Sequence, residues 1–483
     1  MYKYIRQILL VGFLIIMIGT VFGGKVEANQ KTDERMYYIL VDRFINGNSD
    51  NDMDINIDQK TAYHGGDLEG IIDHIPELAD LGFTAINVSP VMESSSYHGL
   101  DPLDHQSLDP HFGEMEDLKQ MVETAHEHDM KVILDFVVSQ VNADHPLSEL
   151  NGKWTANKEN HQWGTEVLIP DLQIDDVENY FLNSAAYWIE EVEIDGFHLY
   201  VNENTPESFI QAFQERIEEV NEQALLLTDG KSYANDANYL QVNHRLQEKL
   251  VNVLKHPGES LESILTEEQL LQGNQIQFID NAATNRFTHE AVREGFNPVT
   301  RWKLALTFLY TIPGDSLIYQ GSEVPMDNGA AEPDHRMAEV NRTDEDITRY
   351  LDKLSTLRED APALREGDIE LVNQAGAMSV YKRTSADQTM YMAINNDTET
   401  KTVEIANMDD GMQLRGLLED GIVRQQDDGN YYIVLDRETA NVFILEEDTG
   451  FNWFFIIAML AIVGAFVGFV ITVSVKNKNK VIS

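Results

Sequence analysis

Carboxylates dominate the reactive side chains of this sequence. There are 82 Asp and Glu against 35 Lys and Arg in 483 residues, for a formal net charge of −47. Positioned carboxyls are the raw material of general acid–base chemistry. Cysteine is absent, which excludes a thiol nucleophile, a thiolate metal site and a disulfide framework. The 14 histidines include no His-Glu-x-x-His spacing of a zinc site. One loop, Asn46-Gly47-Asn48-Ser49-Asp50-Asn51-Asp52, is dense in short-armed oxygen ligands. That composition suits Ca²⁺; the alternative is an ordinary Asn/Asp-rich turn. The acidic balance also excludes a polybasic nucleic-acid binder, because a phosphate backbone would be repelled.

The two ends of the chain differ from its body. Lys3 and Arg6 precede an apolar run at 8–22, and Val26-Glu27-Ala28 follows. This is the order of a secretory signal, read as residues 1–28. Residues 453–475 carry no charge and are followed by Lys476, Lys478 and Lys480. The expectation is a transmembrane helix at 453–475 with a cytoplasmic tail at 476–483. That makes the chain a single-pass cell-membrane protein with an extracellular ectodomain. Gly464 and Gly468 form a G-x-x-x-G that could seat the helix of a membrane protein partner; ordinary lipid-facing glycine is the favoured alternative. The ends carry +2 and +3, so residues 29–450 hold −52.

Between the ends, apolar runs alternate with amphipathic stretches. Strands are expected at 37–44, 83–91, 131–138, 196–201, 224–229, 239–244, 275–281 and 316–320, with helical patterns between them. Eight strands alternating with helices imply a parallel sheet that closes into a (β/α)₈ barrel over 29–138 and 174–365. An open doubly wound sheet is the alternative, but no Gly-rich nucleotide loop follows the first strand. Residues 139–173 are polar and long for a strand-to-helix connection, and carry Trp154, Trp163 and two histidines. They read as a small inserted domain. At 366–447 the pattern turns to short alternating strands with turns such as Asp427-Asp428-Gly429, an antiparallel β-sandwich.

Several stretches carry a resemblance. MYYILVDRFINGNSDND, YHGGDLEGI, LADLGFTAINVSPVMESSSYHGLD, LDPHFGEMEDLKQMVETAHEHDMKVILDFVV, LIPDL, DGFHLY, FIDNAATNRF and GDSLIYQGSEVPM occur in this order. From about Met36 to Leu445 the chain resembles the α-amylase family, glycoside hydrolase family 13, and within it the cyclodextrin-glucanotransferase-like and cyclomaltodextrinase-like members. The resemblance implies the same barrel, inserted domain and C-terminal β-domain. It also implies retaining chemistry at α-glucosidic bonds, with a carboxylate nucleophile, a carboxylic acid and a third carboxylate at the ends of the fourth, fifth and seventh strands.

Set against the family's motifs, those positions are substituted. The nucleophile position is Tyr200, the general-acid position Asp229 and the third-carboxylate position Ala283. The arginine that orients the nucleophile is His198, and the histidine beside the third carboxylate is Ala282. An unperturbed phenol titrates near ~10, so Tyr200 is a poor nucleophile at neutral pH without a base. Losing cooperating residues costs roughly 10⁴–10⁶ in rate. The expectation is a pseudoenzyme with a degenerate centre.

Other family positions are kept or conservatively changed. The resemblance assigns sugar contacts to Tyr97, His98, Asp101, Gln140, His198, Glu332 and Arg336. It assigns a first calcium site to Asn46, Asn48, Asn51, Asp52, Asp67 and the Gly65 carbonyl, and a second to Asp171, whose asparagine partner is Ser139 here. The expected function is therefore a membrane-anchored member of the family that binds α-glucan or oligosaccharide, or pairs with a membrane partner, without cleaving sugar. The alternative is a weak α-glucan hydrolase using Asp229 with water or Tyr200.

Overall fold

A computed structural model describes residues 33–149, 154–160, 166–229, 238–327, 335–342, 344–406, 408–448, 450 and 453–481. Its centre is a closed barrel of eight parallel strands: Arg35–Ile39, Ala85–Val88, Lys131–Val137, Gly196–Tyr200, Leu225–Thr228, Tyr239–Val242, Gln275–Gln277 and Asp315–Tyr319. Each pairs in parallel with its neighbours, and the first closes on the last through Arg35↔Ser316 to Tyr38↔Tyr319.

The side-chain period of two sorts every strand into two layers. Met36, Tyr38, Leu40, Ile133, Leu225 and Leu227 fill the barrel interior. Tyr37, Ile39, Val132, Leu134 and Leu226 point out under the helices. The helices obey the matching period of 3.6. In Leu68–Asp80 the buried residues are Leu68, Gly70, Ile71, Ile75 and Leu78, one stripe. Its start is set by Asp67, whose carboxylate accepts from the Gly70 amide at 2.7 Å, a side-chain N-cap.

After the third strand the chain leaves the barrel to build a three-stranded antiparallel sheet of Val141–Asn142, Thr155–Asn160 and Glu166–Pro170. It returns through helix Asp175–Val192. Beyond the barrel stand a six-stranded antiparallel sheet, from Asp368–Ala375 to Thr439–Glu447, and a two-stranded sheet of Lys401–Ile405 with Tyr431–Leu435. This β-domain is bolted to the barrel by buried polar groups. Asn396 donates to the carbonyls of Val253 and Glu259, each at 2.9 Å. Arg383 donates to the Thr311 carbonyl at 2.8 Å.

Two expectations about the ends need separate treatment. The signal segment 1–28 lies outside the described residues, as do Trp163 and Glu332. The membrane span is corrected. The last element is a helix, Trp453–Val481, but among the described residues no helix is long and apolar enough to cross a membrane. The single-pass location, the cytoplasmic tail and the membrane partner, all of which rested on that span, fall with it.

Candidate active site

The mouth of the barrel is assembled by register. Across the first four strands Tyr38 lies beside Asn87, and Asp135 lies beside His198. All four side chains face inward at the carboxyl ends of their strands, where barrel sites form. Asn87 donates to Asp135 Oδ1 at 2.8 Å and Tyr38 donates to Asp135 Oδ2 at 2.8 Å. His198 Nδ1 meets Asp135 Oδ1 at 3.0 Å. The next inward position, Tyr200, sets its ring 4.8 Å from the His198 ring and its hydroxyl 3.4 Å from that of Tyr38.

On the fifth strand Leu225 and Leu227 point inward, and Asp229 continues that parity just beyond the strand's end. Its two oxygens face two histidines. His244 Nε2 lies 2.6 Å from Oδ1, and His198 Nε2 lies 3.5 Å from Oδ2. The second distance makes an ion pair rather than a hydrogen bond, and His198 Nε2 is buried without a hydrogen-bond partner.

These contacts set the charge states. Burial disfavours the His198 cation, but Asp135 and Asp229 outweigh it and carry the imidazole up to about 10. Burial also works against an ionised Asp229, yet His198 and His244 hold its carboxyl well below the usual range. Burial first, then the Asp135 and Asp229 charges, push the Tyr200 phenol well above its ordinary value. At neutral pH the mouth holds an imidazolium, a carboxylate and a neutral phenol.

Past the seventh strand, Asn281 to Thr284 form a turn in which the Ala283 amide donates to Asn281 Oδ1 at 3.0 Å. Ala283 is exposed, while Ala282 packs on the barrel interior. The other sugar-contact residues divide. Tyr97 and His98 are buried, and His98 Nδ1 meets Ser96 Oγ at 3.0 Å. Asp101 is buried and accepts from the hydroxyls of Ser94, Ser95 and Ser96, with Ser94 at 2.9 Å. Its carboxylate is thus a loop staple. Gln140 donates to the Leu100 carbonyl at 2.6 Å. Arg336 is exposed, and its neighbour His335 points inward instead, with Nδ1 2.8 Å from the Tyr97 hydroxyl.

Sequence reasoning passed over Tyr38, Asn87, Asp135, His244 and His335. Asp135 left a signal: it is a lone acid inside the apolar strand Lys131–Val137. His244 and His335 left none, since their partners are remote in sequence.

The Asn/Asp-rich loop is held by its own polar side chains and by Asp67. Asp67 accepts from the amides of Gly47 and Asn48, at 3.0 and 2.8 Å. Asn46 Nδ2 donates to Asp52 Oδ1 at 2.7 Å. Gly65 has φ +93°, and a Cβ there would lie 2.6 Å from Asn46 and 2.7 Å from Asp52. Only glycine allows that approach. Asn51 Oδ1 is buried with no hydrogen-bond partner, an oxygen left over for an ion. Among the described residues no group of three or more His, Asp or Glu is placed to hold a metal. A cation held here would need amide and carbonyl oxygens as well as carboxylate, the donor set of a hard ion such as Ca²⁺. Asp171 lies apart, on a cavity of about 480 Å³ with Ser139, Asn202 and Asn204. One of its oxygens is occupied by the Gln173 amide at 3.1 Å.

Comparison with known proteins gives a consistent picture. Residues 38–164 match the α-amylase catalytic domain and 367–443 the α-amylase C-terminal domain. A cyclomaltodextrinase of Thermoanaerobacter pseudethanolicus is 28% identical over 453 residues, spanning 83% of this chain and 77% of the relative. The crystal structure of an Anoxybacillus α-amylase superposes with a TM-score of 0.80 at 34% identity, over 87% of this chain and 99% of the other. The α-amylase of Geobacillus thermoleovorans, solved in complex with acarbose, gives 0.78 at 34% identity, over 86% and 99%.

Proposed function

This chain belongs to the α-amylase family of glycosidases, proteins of carbohydrate metabolism, and from that premise we propose that it holds α-glucan chains without hydrolysing them. The observation that carries this reading is the pair of histidines on Asp229. Retaining hydrolysis needs a protonated acid to donate to the leaving oxygen and an ionised nucleophile to attack carbon. Here the one carboxyl at the three positions is held ionised and the residue at the nucleophile position is held protonated. The two protonation states are the reverse of those required. Ala283 adds no third carboxylate to offset this.

Binding to α-glucan is supported by relatives and by the rim. The Geobacillus relative binds acarbose, and the rim of this barrel keeps Gln140, Asn281, His244 and Asp229 open in part to solvent. Two measurements on the purified full chain test the two halves. With starch, maltotriose and nitrophenyl α-glucosides, no product should form above the buffer blank. Turnover that is abolished by Tyr200→Phe establishes the weak-hydrolase alternative instead. In affinity electrophoresis the chain should be retarded by amylopectin, and unchanged mobility removes the binding half.

We further propose that Asn46, Asn48, Asn51, Asp52, Asp67 and the Gly65 carbonyl hold one Ca²⁺. Bound there, the ion supplies positive charge to a loop of oxygen dipoles and ties 46–52 to 65–67. A ligand present at ~100 times its dissociation constant stabilises by about 2.7 kcal/mol. EDTA should therefore lower the melting temperature by several degrees and Ca²⁺ should restore it. An unchanged melting temperature rejects the site. Asp171 remains a proposed ligand of a second, weaker site, tested by the calcium stoichiometry in the same titration: one ion per chain removes it.

A further inference from the structure

Four loops at the barrel mouth are tied together through Arg43 and His335, which no part of the chemistry above uses. Arg43 follows the first strand, Tyr97 the second, Ala282 the seventh and His335 the eighth. The Arg43 guanidinium lies 3.7 Å from the centroid of the Tyr97 ring. Its Nε donates to the His335 carbonyl at 3.0 Å, and one terminal nitrogen donates to the carbonyls of Lys60 and Ala62, each at 2.9 Å. The His335 imidazole then spans the gap. Nδ1 meets the Tyr97 hydroxyl at 2.8 Å, and Nε2 donates to the Ala282 carbonyl at 2.7 Å. With Nε2 carrying the proton, Nδ1 accepts from the phenol, so both contacts are satisfied by one neutral tautomer.

The consequence is a closed floor. Tyr38, Tyr97, His98, Asp135, His198 and His335 are each no more than 6% exposed. A pocket built to take a sugar ring presents an open aromatic face and open polar groups, since ligand pockets bury most of the ligand surface against their walls. Here one face of the Tyr97 ring is covered by Arg43, its hydroxyl is capped by His335, and Tyr200 stands over His198. What stays open lies further out, at Asp229, His244 and Ala283.

We propose that His335 is the latch that keeps the innermost sugar pocket shut, so that an α-linked glucosyl ring enters it only when the tie between Tyr97 and the Ala282 carbonyl opens. This rests on the reading of the chain as a non-hydrolysing α-glucan binder, and refines it. Long glucans are held at the rim, while short oligosaccharides that need the deep pocket are excluded. His335 is thus a specificity-determining residue, not a catalytic one.

The test uses the full chain with maltotriose as the probe, titrated by calorimetry, with free glucose and maltose followed by chromatography in the same samples. Wild type should bind more weakly than a Kd of about 1 mM. His335→Ala, which removes the latch, and Tyr97→Phe, which removes only the hydroxyl it holds, should each bind at least tenfold more tightly, or about 1.4 kcal/mol. The two variants break the tie from opposite ends, so one that folds poorly by its melting curve leaves the other to decide. Submillimolar binding by wild type overturns the latch, as does unchanged affinity in a folded variant. Sugar released by wild type overturns the non-hydrolysing reading. Unchanged affinity with no release overturns the latch alone.

Discussion

At the scale of single residues, the decisive side chain is His198, set between two carboxylates. An arginine would be a permanent cation, whereas His198 is charged only because Asp135 and Asp229 flank it. Its folded value of about 10 lies above the ordinary 6.5. The stability it contributes is therefore complete below pH 6.5 and is lost as pH rises through about 10. Its imidazole resonances in NMR should stay those of the cation from pH 6 to 8 and shift only in alkali. A midpoint near 6.5 contradicts the ion triad. His198→Ala leaves Asp135 without its cation in a dry site, and removal of one partner of a buried pair typically costs about 3–5 kcal/mol. Chemical denaturation of the variant measures this, and a loss below about 1 kcal/mol argues against it. The reading of Tyr200, Asp229 and Ala283 as the three key positions comes from motifs of fixed order in the sequence. The role of Asp135 was legible only in outline. His244 and His335 were invisible, because the partners that give them meaning, Asp229 and Ala282, lie on other loops.

At the scale of elements, the inserted sheet meets the barrel through two buried histidines. His105 Nδ1 lies 3.0 Å from His145 Nε2, and His105 Nε2 lies 2.7 Å from the Val137 carbonyl. Tyr180 and Asp104 complete the cluster, the phenol 3.2 Å from His145 and 3.3 Å from Asp104. Burial lowers His105 to about 4 and, with the charge of its partner, His145 to about 2. The unfolded chain takes up protons near 6.5, before the folded chain does. Stability from this junction is thus complete above pH 6.5 and falls as pH drops toward 4 and below. The melting temperature should fall more steeply between pH 6.5 and 4 in wild type than in His145→Phe. Parallel curves for the two proteins remove the junction as the cause. The helix Leu68–Asp80 offers a second check, because Asp67 both caps it and anchors the Asn/Asp-rich loop. Asp67→Ala should cost about 1–2 kcal/mol from the cap alone in calcium-free buffer, read from urea denaturation, and a neutral result would show that the cap is dispensable. The alternation of eight strands and helices made these elements readable beforehand. Their ends were less so: the seventh strand is only Gln275–Gln277, shorter than the apolar run to 281.

At the scale of the whole molecule, barrel and β-domain share one buried polar seam. Arg301 reaches Asn396 at 2.5 Å, Asn396 holds three carbonyls of 253–259, and Arg383 holds those of Thr311 and Gly367. Cutting such a seam leaves buried donors and acceptors unpaired, at about 1–3 kcal/mol each. The full chain should therefore unfold in one calorimetric transition, and Asn396→Ala should lower its midpoint. Two separate transitions contradict a shared seam. The sequence by itself determined the (β/α)₈ barrel with an inserted sheet and a terminal β-domain. Those features are written in local periodicity and in ordered motifs, which need no knowledge of what lies across the barrel. Only the tertiary structure decided the charge of Asp229, the closure over Tyr97 and the absence, among the described residues, of a helix able to cross a membrane. A proton's position depends on which groups stand within a few ångströms and how much water reaches them. Loops far apart in the chain supply those groups, so no local pattern announces them.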